Sequence, residues 1–219
     1  FDKRAKFIHY RPRTLVLNNL EYDHADIYPD LAAIERAFQH LVRTVPGSAR
    51  ILCNGADPSL ARVLAAGCWS TVERFTGTPS AAGPAAGAAG AADWSVRAPP
   101  DGDFSRFEVL WRGRSMGEVR WDLIGAHNAD NALAALAAAR HAGVPVEHGI
   151  EALGRFRGVA RRMQLRGQAA GVSVYDDFAH HPTAIATTIA GLRRRLGPAR
   201  IVAVLEPRSA TMRLGVHRD

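Results

Sequence analysis

Two aspartates and two histidines lie within six residues of one another in the segment 175–182, Tyr-Asp-Asp-Phe-Ala-His-His-Pro. The alternating apolar run 171–175 before them predicts a strand, and Pro182 is typical of the first turn of a helix. The cluster therefore lies where a strand ends and a helix begins, the edge at which open α/β sheets bind ligands. Because crowding and desolvation make four such ionisable groups costly, we expect them to bind something.

A second polar run, residues 19–26 (Asn-Leu-Glu-Tyr-Asp-His-Ala-Asp), also follows an apolar strand pattern. Its three carboxylates and one imidazole could coordinate Mg²⁺ directly or through water, although histidine is an uncommon ligand of this ion. The alternative is structural, with Asp26 or Asp30 accepting from the free amides at the start of the next helix. Local chemistry leaves both interpretations open.

A third run, residues 125–133 (Gly-Ala-His-Asn-Ala-Asp-Asn-Ala-Leu), opens an alanine-rich helix. Asn128 and Asn131 are three residues apart, so their amides project from one face of the first turn. A side-chain amide both donates and accepts, which suits the edge of an adenine ring. The alternative is a helix cap at Asn128 and a solvent-facing Asn131.

Two arginine-containing segments could bind anionic groups. Arg161 and Arg162 follow a glycine turn, where guanidinium groups can hold a phosphate or stack on a base. Arg208 and Arg213 follow a predicted strand at 201–205 and could meet a carboxylate ligand. Arginine is abundant in this chain, so neither segment indicates a site when taken alone.

The elements that must position these groups alternate between strand and helix in the first part of the chain, which favours a mostly parallel sheet with flanking helices, an α/β fold. Residues 104–123 alternate around a turn and predict an antiparallel hairpin. A further strand–helix–strand unit at 172–205 predicts a second domain, and we divide the chain into 1–166 and 167–219. The remaining predictions are strands at 14–17, 50–53 and 71–75, helices at 29–45, 57–67, 128–142 and 146–156, and a flexible loop at 77–92. Asp57 and Pro58 are the predicted N-cap and first-turn pair of the helix at 57–67.

Composition narrows the classes of partner. The formal net charge is +7, which suits anionic ligands, but the arginines are scattered and no nucleic-acid-binding module is present. No apolar run is long enough to cross a bilayer, so we expect no membrane partner. Two isolated cysteines predict free thiols and a cytoplasmic location. The oligomeric state is not indicated. The chain begins without methionine, and we expect it to be part of a longer protein.

In their order along the chain, four motifs together resemble the Mur ligase family over essentially the whole sequence. They are Asn-x-x-x-Asp-His-x-Asp, Gly-x-His-Asn-x-x-Asn-x-x-Ala-Ala, Gly-x-x-Arg-Arg and Asp-Asp-x-x-His-His-Pro-Thr. The resemblance implies a central ATP-binding domain followed by the start of a Rossmann-like C-terminal domain. It also implies ATP-dependent amide-bond formation in bacterial peptidoglycan metabolism, through an acyl-phosphate and with Mg²⁺.

Four segments, 1–4, 9–13, 18–26 and 205–209, resemble one branch of the family in particular. Members of that branch join the murein tripeptide L-alanyl-γ-D-glutamyl-meso-diaminopimelate to UDP-N-acetylmuramate. These two small molecules are therefore the expected substrates. The rival branch adds L-alanine to UDP-N-acetylmuramate and shares the Asp-Asp-x-x-His-His-Pro pattern.

The resemblance also implies which residues act, with His24, Arg162, Asp177 and His180 expected to be catalytic. The implied contacts are His24 with Mg²⁺; His127, Asn128 and Asn131 with the adenine of ATP; Arg162, Asp177 and His181 with the nucleotide near the domain junction; and Arg208 and Arg213 with the incoming peptide.

The family's phosphate-binding loop, Gly-Thr-x-Gly-Lys-Thr, does not occur in these 219 residues. Its acidic metal-binding motif is missing too, so we expect this chain alone to show no ligase turnover.

Two alternative functions come from other classes of protein. One is a metal-dependent phosphoesterase, built on the Asp-Asp and His-His pairs with His24, and the other is an arginine-rich nucleic-acid-binding module.

Overall fold

The computed structural model describes residues 5–77 and 92–206, together with residues 212 and 215. The described chain forms a six-stranded sheet with flanking helices, followed by a two-stranded sheet and one more helix. A short 3-10 helix (Lys6–His9) precedes the first strand. The strands are β1 (Thr14–Leu17), β2 (Arg50–Asn54), β3 (Thr71–Thr76), β4 (Trp94–Arg97), β5 (Arg106–Trp111), β6 (Arg114–Arg120), β7 (Gln164–Ala169) and β8 (Val172–Asp176). The α-helices are α1 (Leu31–Thr44), α2 (Pro58–Ala65), α3 (Ala126–His141), α4 (Val146–Arg155) and α5 (Pro182–Leu196).

The large sheet has the strand order β1-β2-β3-β4-β5-β6. Neighbouring strands from β1 to β4 are parallel, and β4, β5 and β6 are antiparallel. This arrangement confirms the predicted α/β fold with a mostly parallel sheet and an antiparallel hairpin. Strand β4 was not predicted, and most of the predicted loop at 77–92 lies outside the described residues.

Strand β2 is buried on both faces, and its successive side chains pack in two different apolar cores. Ile51 and Cys53 pack with α1 and α2, whereas Leu52 packs with α3 and the hairpin strands. A strand covered on both faces reads as a continuous apolar run rather than an alternating one, as the sequence here does. Cys53 and Cys68 are free, and burial raises the pKa of the Cys53 thiol to about 11.

The C-terminal segment is built differently from the prediction. Residues 201–206 form neither a helix nor a strand, so the predicted strand at 201–205 is wrong. Strand β8 instead pairs with β7 in an antiparallel hairpin. A strand needs a neighbouring strand for its backbone hydrogen bonds, and residues 201–206 belong to neither of the two sheets in the described part of the chain. Val204 accordingly is 96% exposed. Strand β7 also runs across the expected domain division at 166/167.

Helix α5 is attached to the first sheet by three kinds of contact. Gly191, its only buried residue, lies against the backbone of Gly125. Arg195 donates to the carboxylate of Asp103 at 2.7 Å, and the guanidinium of Arg194 lies 5.5 Å from the ring centre of Phe104. Burial acts to raise the pKa of Asp103, but hydrogen bonds from Ser105 and Arg195 outweigh it, so the pKa lies below its usual value. The carboxylate is thus held in its charged form.

None of the described helices is both long and apolar enough to cross a membrane.

Candidate active site

A cavity of about 1630 Å³ lies between the ends of the first strands and the C-terminal segment. Asn131 from α3 and Asp177 from the loop after β8 line the same cavity. This geometry brings together most of the residues that the sequence singled out, although they come from four separate segments. Seven of them line it, namely His24, His127, Asn128, Asn131, Arg162, Asp177 and His181.

His180 does not line this cavity. Its Nδ1 atom lies 2.9 Å from the carbonyl oxygen of Phe178, and its ring packs edge-on against the ring of Phe178. These contacts fold the loop after β8 back on itself. The structure thus leaves His180 outside the cavity, and its catalytic role stays a prediction. Arg208 and Arg213 lie outside the described residues.

The start of α3 presents a row of side-chain amides. Asn128 donates to the carbonyl oxygen of Ile124 at 2.7 Å, so it does not cap the helix as the alternative reading proposed. Asn131 donates to Asn128 at 3.4 Å and accepts from Asn18 at 2.9 Å. Asn131 is thus held between two amides, and it is also exposed to solvent, as the alternative expected. Its pairing with Asn18 was not foreseen, because the two residues are distant in sequence and the resemblance of segment 18–26 implied no role for Asn18.

His127 contributes a buried polar atom to this wall of the cavity. Its Nδ1 atom has no hydrogen-bond partner among the described residues. Burial lowers the pKa of His127, opposed by the charge of Asp177 and assisted by that of Arg162, so the ring is held neutral. An unpaired buried polar group costs about 1–3 kcal/mol. A ligand that hydrogen-bonds to this atom would recover that cost, and an adenine nucleotide has suitable ring nitrogens and an amino group.

Asp57 fixes the loop that carries His24. Its Oδ1 atom accepts from the amides of Ser59 and Leu60 at the start of α2, and its Oδ2 atom accepts from the amide of Leu20 at 2.7 Å. One carboxylate thus caps a helix and anchors the site loop. The Asp57–Pro58 sequence indicated the cap, but nothing in the sequence indicated the anchor.

Asp57→Ala should therefore disturb the cavity as well as α2. Loss of an N-cap costs about 0.5–2 kcal/mol, and the freed amide of Leu20 adds to it. We expect hydrogen exchange at residues 18–24 to accelerate in this variant. Asp30→Ala is the matched control, because Asp30 caps α1 through the amide of Ala33 and does not touch the site loop. Equal exchange at residues 18–24 in both variants would contradict the anchoring role.

The residues present do not by themselves make a complete magnesium site. In the described ranges, no group of three or more histidine, cysteine, aspartate or glutamate side chains lies close enough to hold a metal ion. His24 lines the cavity, and its backbone is in the left-handed region at φ 56°. Its backbone amide donates a hydrogen bond to the side chain of Asp23. Asp30 acts as a helix cap, as the structural alternative proposed.

Asp177 holds the linker between α4 and β7 against the loop after β8. Its Oδ2 atom accepts from the amide of Met163 at 2.8 Å, and its Oδ1 atom accepts from the amide of Ala179 at 2.7 Å. The amide of Phe178 donates to the carbonyl oxygen of Arg161, and the guanidinium of Arg162 lies 5.9 Å from the ring centre of Phe178. Asp177 therefore places Arg162 at the cavity wall.

A second connection joins the His24 loop to the start of α5. The Oε2 atom of Glu21 accepts from the hydroxyl of Thr183 at 2.5 Å and lies 3.2 Å from His181 Nδ1. The Nε2 atom of His181 lies 3.3 Å from the carbonyl oxygen of Tyr22. These contacts close one end of the cavity. Glu21 and Thr183 each lie inside a predicted motif, but the sequence did not show that the two motifs meet through them.

The cavity lies at the edge of a mostly parallel α/β sheet, which is the position at which open sheets of this class bind ligands. Residues 2–139 match the model of the Mur ligase middle domain, and residues 161–216 match that of the Mur ligase glutamate ligase domain. The chain belongs to the Mur ligase family.

Three relatives show which branches of the family are similar. The chain is 52% identical to the UDP-N-acetylmuramate–L-alanyl-γ-D-glutamyl-meso-2,6-diaminoheptandioate ligase of Escherichia coli, over 100% of this chain and 45% of the relative. The structure of a murein peptide ligase from Psychrobacter arcticus aligns with a TM-score of 0.67 at 40% identity, over 100% of this chain and 42% of that one. The UDP-N-acetylmuramate–L-alanine ligase of Myxococcus xanthus is 35% identical, over 96% of this chain and 42% of the relative. The chain thus spans less than half the length of these relatives.

Proposed function

We propose that this chain is the adenine-binding and lobe-joining part of an ATP-dependent ligase that joins L-alanyl-γ-D-glutamyl-meso-diaminopimelate to UDP-N-acetylmuramate. The observation that carries the proposal is the shared cavity, in which the amides of α3 face Asp177 and Arg162 from the C-terminal segment. The 52% identity to the Escherichia coli ligase supports the choice of substrates. A cytoplasmic location is part of the same proposal.

In this proposal, the chain's own residues bind and orient the nucleotide. Asn128, Asn131 and His127 hold the adenine at the start of α3, and Arg162 offsets negative charge on the phosphates. ATP would supply the phosphoryl group that converts the muramoyl carboxylate to an acyl-phosphate with release of ADP, and the peptide's amine would then form the amide bond with release of phosphate. Contacts of Glu21 with α5 help to keep water out of the cavity, which strengthens electrostatic interactions inside it.

His24 is the proposed contribution of this chain to a Mg²⁺ site. Since the described residues do not complete such a site, no step of the mechanism is assigned through the ion. The contacts of Arg208 and Arg213 with the peptide are likewise carried by the family resemblance alone, and the domain division at 166/167 stays a prediction from the sequence pattern. The matched middle-domain region ends at residue 139, and the matched C-terminal region begins at residue 161. Helix α4 and the linker after it therefore lie between the two regions.

Two readings from other classes receive no support from the geometry. The aspartates and histidines at 176–181 do not form a group that could hold a metal ion in the described structure, which disfavours a phosphoesterase centre. The arginines at the end of α5 are engaged within the protein, which disfavours a nucleic-acid-binding face. Arg193 donates to the carbonyl oxygens of Gly197 and Ala199, Arg194 to that of Gly102, and Arg195 to Asp103.

Nucleoside titration of the 219-residue chain tests the adenine site. We expect adenosine to bind more tightly than uridine by isothermal titration calorimetry, because the base contacts come from this chain. Asn131→Ala should weaken adenosine binding about tenfold, which corresponds to one lost hydrogen bond of about 1.4 kcal/mol. Gln168→Ala, in the exposed β7–β8 hairpin, is the control and should leave the affinity unchanged. Equal affinity for adenosine and uridine would contradict the proposal.

A further inference from the structure

The amide row at the start of α3 continues into the end of β1. Asn18, the residue directly after β1, donates from Nδ2 to Oδ1 of Asn131 at 2.9 Å. Asn131 donates to Oδ1 of Asn128 at 3.4 Å, and Asn128 donates to the carbonyl oxygen of Ile124 at 2.7 Å. Three side-chain amides therefore form one hydrogen-bonded row that ends on a backbone carbonyl.

The backbone carbonyl fixes the direction of the whole row. A carbonyl oxygen can only accept, so Asn128 must present its NH₂ group to Ile124 and its oxygen to Asn131. Asn131 must in turn present its NH₂ group to Asn128 and its oxygen to Asn18. A rotated amide at Asn131 would place oxygen against oxygen at one end and two NH₂ groups against each other at the other. Asn18 is the member of the row that opposes this rotation from outside α3.

The fixed direction matters because purines differ in the pattern that they offer at positions 1 and 6. Adenine offers an amino donor and a ring-nitrogen acceptor, whereas a 6-oxopurine offers a carbonyl acceptor and a ring N–H donor. An amide that pairs with one pattern must rotate by half a turn to pair with the other. Asn131 keeps one N–H and one oxygen lone pair for a ligand in the cavity, and both are held in one order.

We infer that Asn18 is a positioning residue that orients the amide of Asn131 and thereby makes the cavity prefer adenine to a 6-oxopurine. This inference rests on the proposed adenine site. Asn18 need not touch the nucleotide for this effect. Its contribution is the donor that occupies Oδ1 of Asn131 on the side away from Asn128.

The test compares adenosine with inosine, a nucleoside whose base is a 6-oxopurine, by calorimetric titration of the 219-residue chain. Unmodified chain should prefer adenosine about tenfold or more, since reversing a paired donor and acceptor leaves both groups opposed. Asn18→Asp keeps the shape but replaces the donor with an acceptor. The rotated amide of Asn131 then gains a hydrogen bond to the new carboxylate and competes with the original orientation, which Asn128 still favours. The preference should then fall to about threefold or less, or reverse. Asn18→Leu should give an intermediate ratio, because it removes the donor without adding an acceptor.

Asn19→Asp is the matched control, because Asn19 is the adjacent asparagine and its amide donates to Glu21 rather than to Asn131. It should leave the ratio of the two affinities unchanged. If Asn18 had only a structural role, Asn18→Asp would weaken the binding of both nucleosides by the same factor. The ratio of the two affinities would then be unchanged, and that outcome would overturn the inference. If unmodified chain bound neither nucleoside, the adenine site itself would be refuted and the inference with it. Binding with an unaltered ratio in the variants would refute the inference alone.

Discussion

Replacing Gly191 with valine should separate α5 from the central sheet and abolish adenosine binding. A Cβ atom at this position would lie 3.1 Å from the Cα atom of Gly125 and 3.3 Å from its backbone nitrogen. Backbone atoms cannot rotate away as a side chain can, so the helix itself must move. Insertion of carbon atoms into a packed contact typically costs about 1–3 kcal/mol. Gly191 is the only buried residue of α5, so this contact is the most tightly packed of those that hold the helix, and the contacts of Thr183 and Arg195 lie at its exposed surface.

The expected consequence is local rather than global unfolding. Hydrogen exchange in α5 should accelerate at least about tenfold, the equivalent of 1.4 kcal/mol, while the strands β1–β3 keep their protection. Loss of the α5 wall opens the cavity, so adenosine affinity should fall with it. Gly154→Val is the matched control, since Gly154 is an exposed helical glycine whose added Cβ would meet only Arg120 at an ordinary 3.5 Å. Unchanged exchange in α5 of the Gly191→Val protein would show that the glycine contact does not hold the helix.

The parts of the fold that the sequence predicted well are those in which local pattern and tertiary position agree. The apolar run at 50–53 predicted a strand, and β2 lies between two parallel neighbours, where such a run can be buried on both faces. Asp57 and Pro58 predicted a helix start because capping is a local interaction. Residues 201–205 show the limit of this reasoning. Their apolar character favours a strand, but a strand forms only where a neighbour supplies hydrogen bonds, and neighbours are not encoded locally.

The candidate site shows the same division between local and long-range information. Motif spacing predicted that Asn128 and Asn131 share a helix face, and the order of motifs suggested the family. Pairings across the chain were not predictable from spacing, because Asn18 with Asn131 and Glu21 with Thr183 join segments that are far apart in sequence. The signal that could have suggested Asn18 is its position directly after β1, at the edge where the carboxyl ends of the parallel strands meet.

The structure gives Asp177 a second role beside the one implied by resemblance. Both of its oxygens accept backbone amides, from Met163 and Ala179, and Met163 has a left-handed backbone at φ 48°. A methionine in this conformation is strained and persists only where the surroundings hold it. Asp177 can therefore act on a nucleotide through the position of Arg162 as well as by direct contact. The two roles predict different consequences for substitution.

Asp177→Ala should destabilise the C-terminal segment by about 2 kcal/mol, since it leaves two partly buried amides without an acceptor. Urea unfolding followed by hydrogen exchange at residues 161–180 would measure this. Asp177→Asn should recover about half of the loss, because its oxygen can accept from only one of the two amides while its NH₂ group opposes the other. Adenosine affinity should fall in parallel with stability across the two variants if Asp177 acts by positioning Arg162.

Asp176→Ala is the control for this pair, because Asp176 is the neighbouring carboxylate and forms a partly exposed ion pair with Arg161 at 3.4 Å. Such pairs contribute about 0–1 kcal/mol, so stability should change little. If Asp177→Asn kept full stability but lost nucleotide binding, direct contact of Asp177 with the ligand would be its main role. Asp176→Ala could instead lower stability as much as Asp177→Ala does. That result would show that negative charge near the linker, rather than the two backbone hydrogen bonds of Asp177, holds the linker against the loop after β8.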